Sequence, residues 1–247
     1  MTTIEMGEFQ FGRGFSNAFG SLRQDFGALL PSIFLYVLGP QFAVGLLHLT
    51  VLPVDPANPF GAMLGVIGEN ILANLISLAA VGSVIAVVGG RLAGAPLSAQ
   101  SAISVGIRKF LPIWGVSIAR TFAVAIASFI ILAPGLFLFT MWYVAVPALV
   151  LEDEDVFGSL SRSAELTKGH RWPVFGYLLL AAVMIFLPPF ILGAVSIFLP
   201  GAIDELIVTP LVQTLTVVLA PSLSTGLFHE LKRVREGGGT QVANIFA

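Results

Sequence analysis

The sequence has no cysteine in 247 residues, which excludes disulfides, thiolate nucleophiles and thiolate metal sites. Charge is also scarce. Asp, Glu, Lys and Arg make up 11% of the chain, where a soluble domain carries about 25%. Histidine occurs three times, as His48, His170 and His229, spaced too widely to suggest a metal set. No H-E-x-x-H, G-x-S-x-G or phosphate-binding glycine loop occurs, so the familiar hydrolase and nucleotide chemistries have no motif here. The net charge of −2 gives no basic surplus for nucleic acid. Neither a cofactor nor a metal is expected. Residues 1–26 carry Glu5, Glu8 and Asp25 and lack a basic start leading into an apolar core, so a cleaved signal peptide is not expected.

What is present is apolar. Hydrophobic residues form 56% of the chain, with a mean hydropathy of +0.94. Several segments run about 20 residues almost without charge, the length that crosses a bilayer as a helix. The expected class is all-α: a polytopic membrane protein whose six transmembrane helices lie near 28–52, 61–89, 111–132, 136–151, 173–198 and 205–228. Turns are expected at 54–59, at Ala133-Pro134-Gly135 and at Leu199-Pro200-Gly201. Pro188-Pro189 should kink or break the fifth span. Residues 1–13 and 236–247 read as flexible tails around one domain, 14–235.

Three amphipathic stretches precede pairs of spans. In the first, Phe15, Ala18, Phe19, Leu22 and Phe26 share one helical face. The second, Ala95 to Lys109, starts at Pro96 and Ser98 and ends in Arg108 and Lys109. The third, Glu152 to Trp172, opens on four acidic residues that suit a helix N-terminus and closes at Gly169, which suits a left-handed C′ position. In it Phe157, Leu160 and Ala164 are expected to face inward. Ser159, Arg162, Glu165 and Lys168 are expected to face water or lipid heads. With Phe26, Phe110 and Trp172 in register, the pattern reads as three pseudo-repeats, about 14–90, 95–151 and 152–235, each an interfacial helix followed by a hairpin. Of the 12 Lys and Arg residues, all but Arg120 fall on one side of this layout. By the positive-inside rule both termini and the three surface helices are cytoplasmic.

The stretch PALVLEDEDVFGSLSRSAELTKGHRW from Pro147 resembles a segment of the bacterial glycerophosphodiester phosphodiesterase membrane-domain and YciC-like superfamily. LFHELKRVREG from Leu227 is similar to that family's closing segment, although Phe228 and His229 stand where the family has Tyr. The matching positions are Pro147, Glu152, Arg162, Ser163, Leu166, Thr167, Lys168, Gly169, Trp172, Leu231 and Arg235. The resemblance implies an integral protein of the bacterial inner membrane, carrying the membrane part alone. No phosphodiesterase domain is expected after the spans, and the resemblance names no catalytic residue.

Charges inside a bilayer are costly and turn toward the protein interior. Glu69 and Arg120 fall roughly 12–14 Å from opposite faces of a core about 30 Å thick. They read either as a structural ion pair or, with Asn70 and Asn74, as a proton or solute site. Thr209, Gln213 and Thr216 form a stripe on the last span, either a polar lining or hydroxyls bonded to their own backbone. Arg23, Arg108, Lys109, Lys168 and Arg171 are candidate ligands for anionic lipid heads, or simply topology signals. Glu152 to Asp155 are either helix-start charges or a Mg²⁺ site.

The leading expectation is a non-enzymatic membrane protein that binds lipid or a membrane partner, which is another membrane protein or a second copy. The rivals are a small-solute or lipid transporter, and a lipid-modifying enzyme.

Overall fold

The computed structural model describes residues 9–50, 59–130 and 132–246. Among the described residues every regular element is helical. In chain order these are α1 (Phe11–Ile33), a π-helical turn (Phe34–Leu38), α2 (Gly39–Thr50), α3 (Pro59–Leu92), α4 (Ala99–Ile130), α5 (Leu132–Met141), α6 (Ala145–Leu151), α7 (Val156–Thr167), α8 (Arg171–Ser196), α9 (Gly201–Ile203), a second π-helical turn (Asp204–Val208) and α10 (Thr209–Phe246). Six stretches are long and apolar enough to cross a membrane: Phe11–Leu46, Ile71–Leu92, Ala99–Phe129, Pro134–Leu151, Arg171–Ser196 and Gly201–Glu236. Helices meet that requirement because each backbone N–H finds its acceptor inside its own segment. The chain is a multi-pass, all-helical membrane protein.

Two local signals behave as their chemistry dictates. Asp155 caps α7, its carboxylate accepting from the Gly158 N–H at 2.9 Å, and Gly169 leaves the helix at φ +89°. Both π-helical turns precede a proline by two residues, Pro40 and Pro210. A proline ring clashes with the carbonyl four residues earlier, and one wider turn relieves that clash without ending the helix.

Several boundaries differ from expectation. The first amphipathic stretch runs without a break into the first span: α1, bent at Asp25, whose φ of −111° and ψ of 18° are non-helical, continues through the π-helical turn into α2. The second stretch is continuous with its span: α4 starts beside Ser98, whose hydroxyl accepts from the Ser101 N–H at 3.3 Å, and runs through Pro112 to Ile130. Ala133-Pro134-Gly135 is not a turn. It lies in the first turn of α5, where a proline loses no hydrogen bond. α8 passes through Pro188 and Pro189 without a break. The 54–59 loop falls mainly outside the described residues.

The inward face of α7 also differs. Phe157 is 76% exposed and Ala164 half-buried, whereas Leu160 is buried as expected. Ser159, expected to face water or lipid heads, is buried instead, with Ser163, Leu166 and Thr167. The hydroxyls of Ser163 and Thr167 donate to the Met141 carbonyl at 2.8 and 3.3 Å. Met141 ends α5, and its carbonyl has no partner within its own helix. The serine face therefore satisfies a polar group that the phenylalanine face could not.

Close packing rests on small residues. At the α3–α4 crossing Gly106 lies against the Ala79 carbonyl and the Ser83 hydroxyl, and Gly82 faces the Gly106 Cα. Gly226 of α10 lies against the Gly14 carbonyl of α1. Among the described residues four apolar cores surround these contacts, two of them centred on Ile85, Ile113 and Leu149 and on Tyr36, Ala80 and Val217. A third gathers Ala18, Tyr177, Leu223, Leu227 and Phe228, and the fourth Leu29, Val84, Val88 and Val218. Ion pairs close the assembly: Asp25 with Arg91, Lys109 with Asp153, Glu152 with Arg162 and Lys232, and Glu230 with Arg13 and Arg233.

Candidate functional site

A cavity of about 430 Å³ lies between α3, α4, α5, α8 and α10. Helical spacing decides what faces it. Asn74, Ser77, Leu78, Val81 and Ile85 recur at three- and four-residue intervals along one face of α3. Ile113, Ser117 and Arg120 do the same on α4, and Gln213, Thr216, Val217, Ala220 and Ser224 on α10. α8 supplies an apolar wall of Leu178, Ala181, Ala182, Ile185 and Phe186, and α5 with the turn after it supplies Phe139 and Tyr143. Ile85, Ile113 and Ser224 are buried, so that end is closed. Asn74, Phe139 and Phe186 are exposed and form the rim.

The polar groups around this space are not equivalent. Ser77, Thr216 and Ser224 each donate to a carbonyl of their own helix, at 2.7, 3.0 and 2.9 Å. Only their lone pairs remain for a ligand. Gln213 donates to the Asn74 side-chain oxygen at 3.4 Å, linking α10 to α3. The Tyr143 hydroxyl is buried and has no partner among the described residues. Arg120 forms no hydrogen bond or ion pair with any described residue, and its nearest ring, Phe139, has its centroid 6.0 Å from the guanidinium carbon.

The structure therefore brings together Asn74, Arg120, Gln213 and Thr216, four candidates from three helices that lie far apart in sequence. Thr209 is exposed and outside the cavity. The side chains of Glu69, expected to pair with Arg120, and of Asn70 lie outside the described residues. Ser117 and Tyr143 were not legible as site residues. Ser117 gave one usable signal, a hydroxyl three residues before a charge in an apolar helix, which places both on one face.

Sequence and fold searches add no relatives: no family model, curated protein or solved structure matches the chain.

The residues that carry the sequence resemblance do not reach the cavity. Glu152, Arg162 and Arg235 among them form a clamp around α7. Glu152 accepts from Arg162 Nε at 2.7 Å and Nη2 at 3.1 Å, and from Lys232 Nζ at 2.7 Å, while Arg162 also bonds Glu236. Those bonds, the Arg162 pair foremost, hold the Glu152 carboxyl below its usual range against a burial that raises it. The same contact with Glu152 raises Arg162. Arg235 donates to the Lys168 carbonyl at 2.9 Å. Pro147, Leu166 and Leu231 are buried, whereas Trp172 is 83% exposed.

Of the acidic run, Glu152 and Asp153 are taken by cations and Asp155 by its helix cap. The hydrogen bond from Lys109 holds Asp153 low. No group of three or more metal-ligating side chains occurs among the described residues. Of the lipid-headgroup candidates, Arg23, Arg108 and Lys168 are exposed. Lys109 is engaged with Asp153 and the Leu149 carbonyl. Arg171 lies over the Phe137 ring, 4.3 Å from its centroid.

Proposed function

We propose that this chain is a non-catalytic membrane protein that binds an amphiphilic ligand between its helices. One observation carries the reading. Polar groups from three helices converge in a space that is apolar on its other walls, closed at one end and open at the other. Small-molecule sites combine concavity, apolar walls and few polar groups in this way, with volumes of about 300–1,000 Å³. The closed floor at Ile85 and Ile113 favours holding a ligand over passing it through. Filling the cavity tests the reading. Ala182→Trp should reduce lipid co-purifying in mild detergent by about tenfold or more, because the ligand can no longer bury its surface. Native mass spectrometry measures this. Retention of the full complement by the folded variant would sink the cavity as the binding site.

The wider arrangement belongs to the same proposal. The chain sits in a bacterial inner membrane as three hairpins with interfacial segments, both termini cytoplasmic. Phe157 and Trp172 project from α7 and the start of α8 into the lipid interface, where aromatic rings are favoured. Of the positions that resemble the YciC-like superfamily, Glu152, Arg162 and Arg235 tie α7 to α10 and none lines the cavity.

Absence of native thiols makes a labelling test clean. Cysteines at Glu165 and Lys168, both exposed, should react with a membrane-impermeant maleimide in inverted vesicles and stay silent in intact cells. A cysteine at Ser163, fully buried, should resist in both. Reaction of the Glu165 variant in intact cells would reverse the topology.

A further inference from the structure

We infer that the cavity's ligand is a single-chain amphiphile with an anionic head, its charge set against Arg120 and the Tyr143 hydroxyl. This rests on the binding role proposed for the cavity and adds the chemistry of what is bound.

Arg120 is the odd cation of the chain. Arg13, Arg91, Lys109, Arg162, Lys232 and Arg233 each have a carboxylate within salt-bridge distance. Arg23, Arg108 and Lys168 are exposed. Arg235 bonds a carbonyl. Arg171 also lacks a carboxylate, but it has a ring at 4.3 Å and a thioether sulfur at 4.0 Å. Arg120 has only Phe139 at 6.0 Å, the outer limit at which a ring face attracts a cation. A guanidinium offers five N–H donors, and no described residue accepts from any of them. A cation held between apolar helices is unfavourable unless an anion pairs with it.

Tyr143 supplies an independent sign. Its hydroxyl is buried without a partner, an arrangement that native structures rarely leave unexplained. It lines the same cavity as Arg120. A fork of cationic donors and an unpartnered hydroxyl on the wall of one cavity suit a carboxylate or phosphate, which takes Arg bidentately. The remaining wall of Leu78, Val81, Leu178, Ile185 and Phe186 suits hydrocarbon. The volume of about 430 Å³ matches one hydrocarbon chain with its head.

The test uses the full chain in neutral detergent, stripped of lipid, with binding read by thermal shift and by titration. The probes are oleate, oleoyl lysophosphatidate, oleyl alcohol, acetate and inorganic phosphate. Oleate or the lysophosphatidate should bind at least about 30-fold more tightly than the alcohol, as expected for a buried charge pair against a missing partner. The better of the two identifies the head as carboxylate or phosphate. Arg120→Gln should abolish that preference while leaving alcohol binding intact, Arg120→Lys should restore part of it, and Tyr143→Phe should weaken it.

Equal binding of charged and neutral chains, or an unchanged preference in Arg120→Gln, would overturn the inference. Binding of the alcohol that is lost in Ala182→Trp would leave the cavity reading standing by itself. Preferential binding of acetate or phosphate without a chain would overturn the single-chain assignment. A stability loss in Glu69→Gln that is recovered on adding Arg120→Leu would assign the counter-charge to Glu69 and overturn the inference as well.

Discussion

Replacing Gly106 by leucine is expected to prevent the protein from folding, and alanine there to lower its melting temperature by about 2–12 °C. The reason is the distance between two backbones. α4 crosses α3 so closely that a Cβ at Gly106 meets the Ala79 carbonyl and the Ser83 hydroxyl. From the other side, a Cβ at Gly82 comes within 3.2 Å of the Gly106 Cα and 3.0 Å of Ile113 Cδ1. Helices in lipid gain little from hydrophobic association, so contact between small residues carries much of their packing. The Ser83 hydroxyl adds a bond across the crossing, donating to the Ala102 carbonyl at 3.0 Å. Forcing helices apart by a methyl group costs about 1–3 kcal/mol, and each kcal/mol lowers the melting temperature of a chain of this size by about 2–4 °C. Gly27 serves as the control, since a Cβ there meets nothing within 4 Å and alanine improves helix propensity by about 1 kcal/mol. Gly226→Ala, against the Gly14 carbonyl, should behave like Gly106→Ala. Thermal melts of the three variants decide the matter. Equal stability of Gly27→Ala and Gly106→Ala would show that the crossing is loose.

The six spans were legible because the requirement they meet is local. An apolar run must be long enough and must satisfy its own backbone, and both properties are read directly from sequence. Helix continuity was less legible. Nothing near residue 110 tells α4 to run on from its amphipathic start into the bilayer, because Pro112 is tolerated where neighbouring helices compensate. The face of α7 was misjudged for a related reason. Phe157 looked like a core residue by spacing, but the need that fixed the orientation belonged to the Met141 carbonyl, 22 residues from Ser163. The cavity was half legible. Arg120, Asn74, Gln213 and Thr216 stood out as polar groups in apolar helices, which membranes make costly. Tyr143 did not, since a tyrosine near a span's end reads first as an interfacial anchor. That Asn74 and Gln213, 139 positions apart, would meet across one space was beyond any pattern within a single helix.

Glu152→Gln is expected to lower the melting temperature at neutral pH by about 6–12 °C and to flatten its fall in acid. Glu152 is the hub at which α6, α7 and α10 are joined. It accepts two bonds from Arg162 and one from Lys232, and its side chain is 14% exposed. Removing one member of such a buried pair costs about 3–5 kcal/mol. The lower end applies here because Lys232 is 38% exposed and Arg162 keeps Glu236. About 3 kcal/mol corresponds to about 6–12 °C for a chain of this length. The acid limb follows from the direction of the shift. The Arg162 hydrogen bond first, and Lys232 after it, hold the folded carboxyl below its ordinary value of 4.5 despite burial. A depressed carboxylate contributes stability that is complete above the unfolded value and disappears as pH falls through the folded one. The wild type should therefore lose stability below about pH 4.5. Glu152→Gln, already without that charge, should lose less over the same interval. Asp153→Asn separates the Lys109 pair, whose carboxylate is 89% exposed while Lys109 keeps the Leu149 carbonyl, so a smaller loss is expected than at Glu152. Arg162→Gln combined with Glu152→Gln should cost less than the sum of the two single changes, since both remove the same contact. Parallel acid limbs for the wild type and Glu152→Gln would place the acid-sensitive group elsewhere, and fully additive losses would mean that the clamp around α7 does not act as one unit.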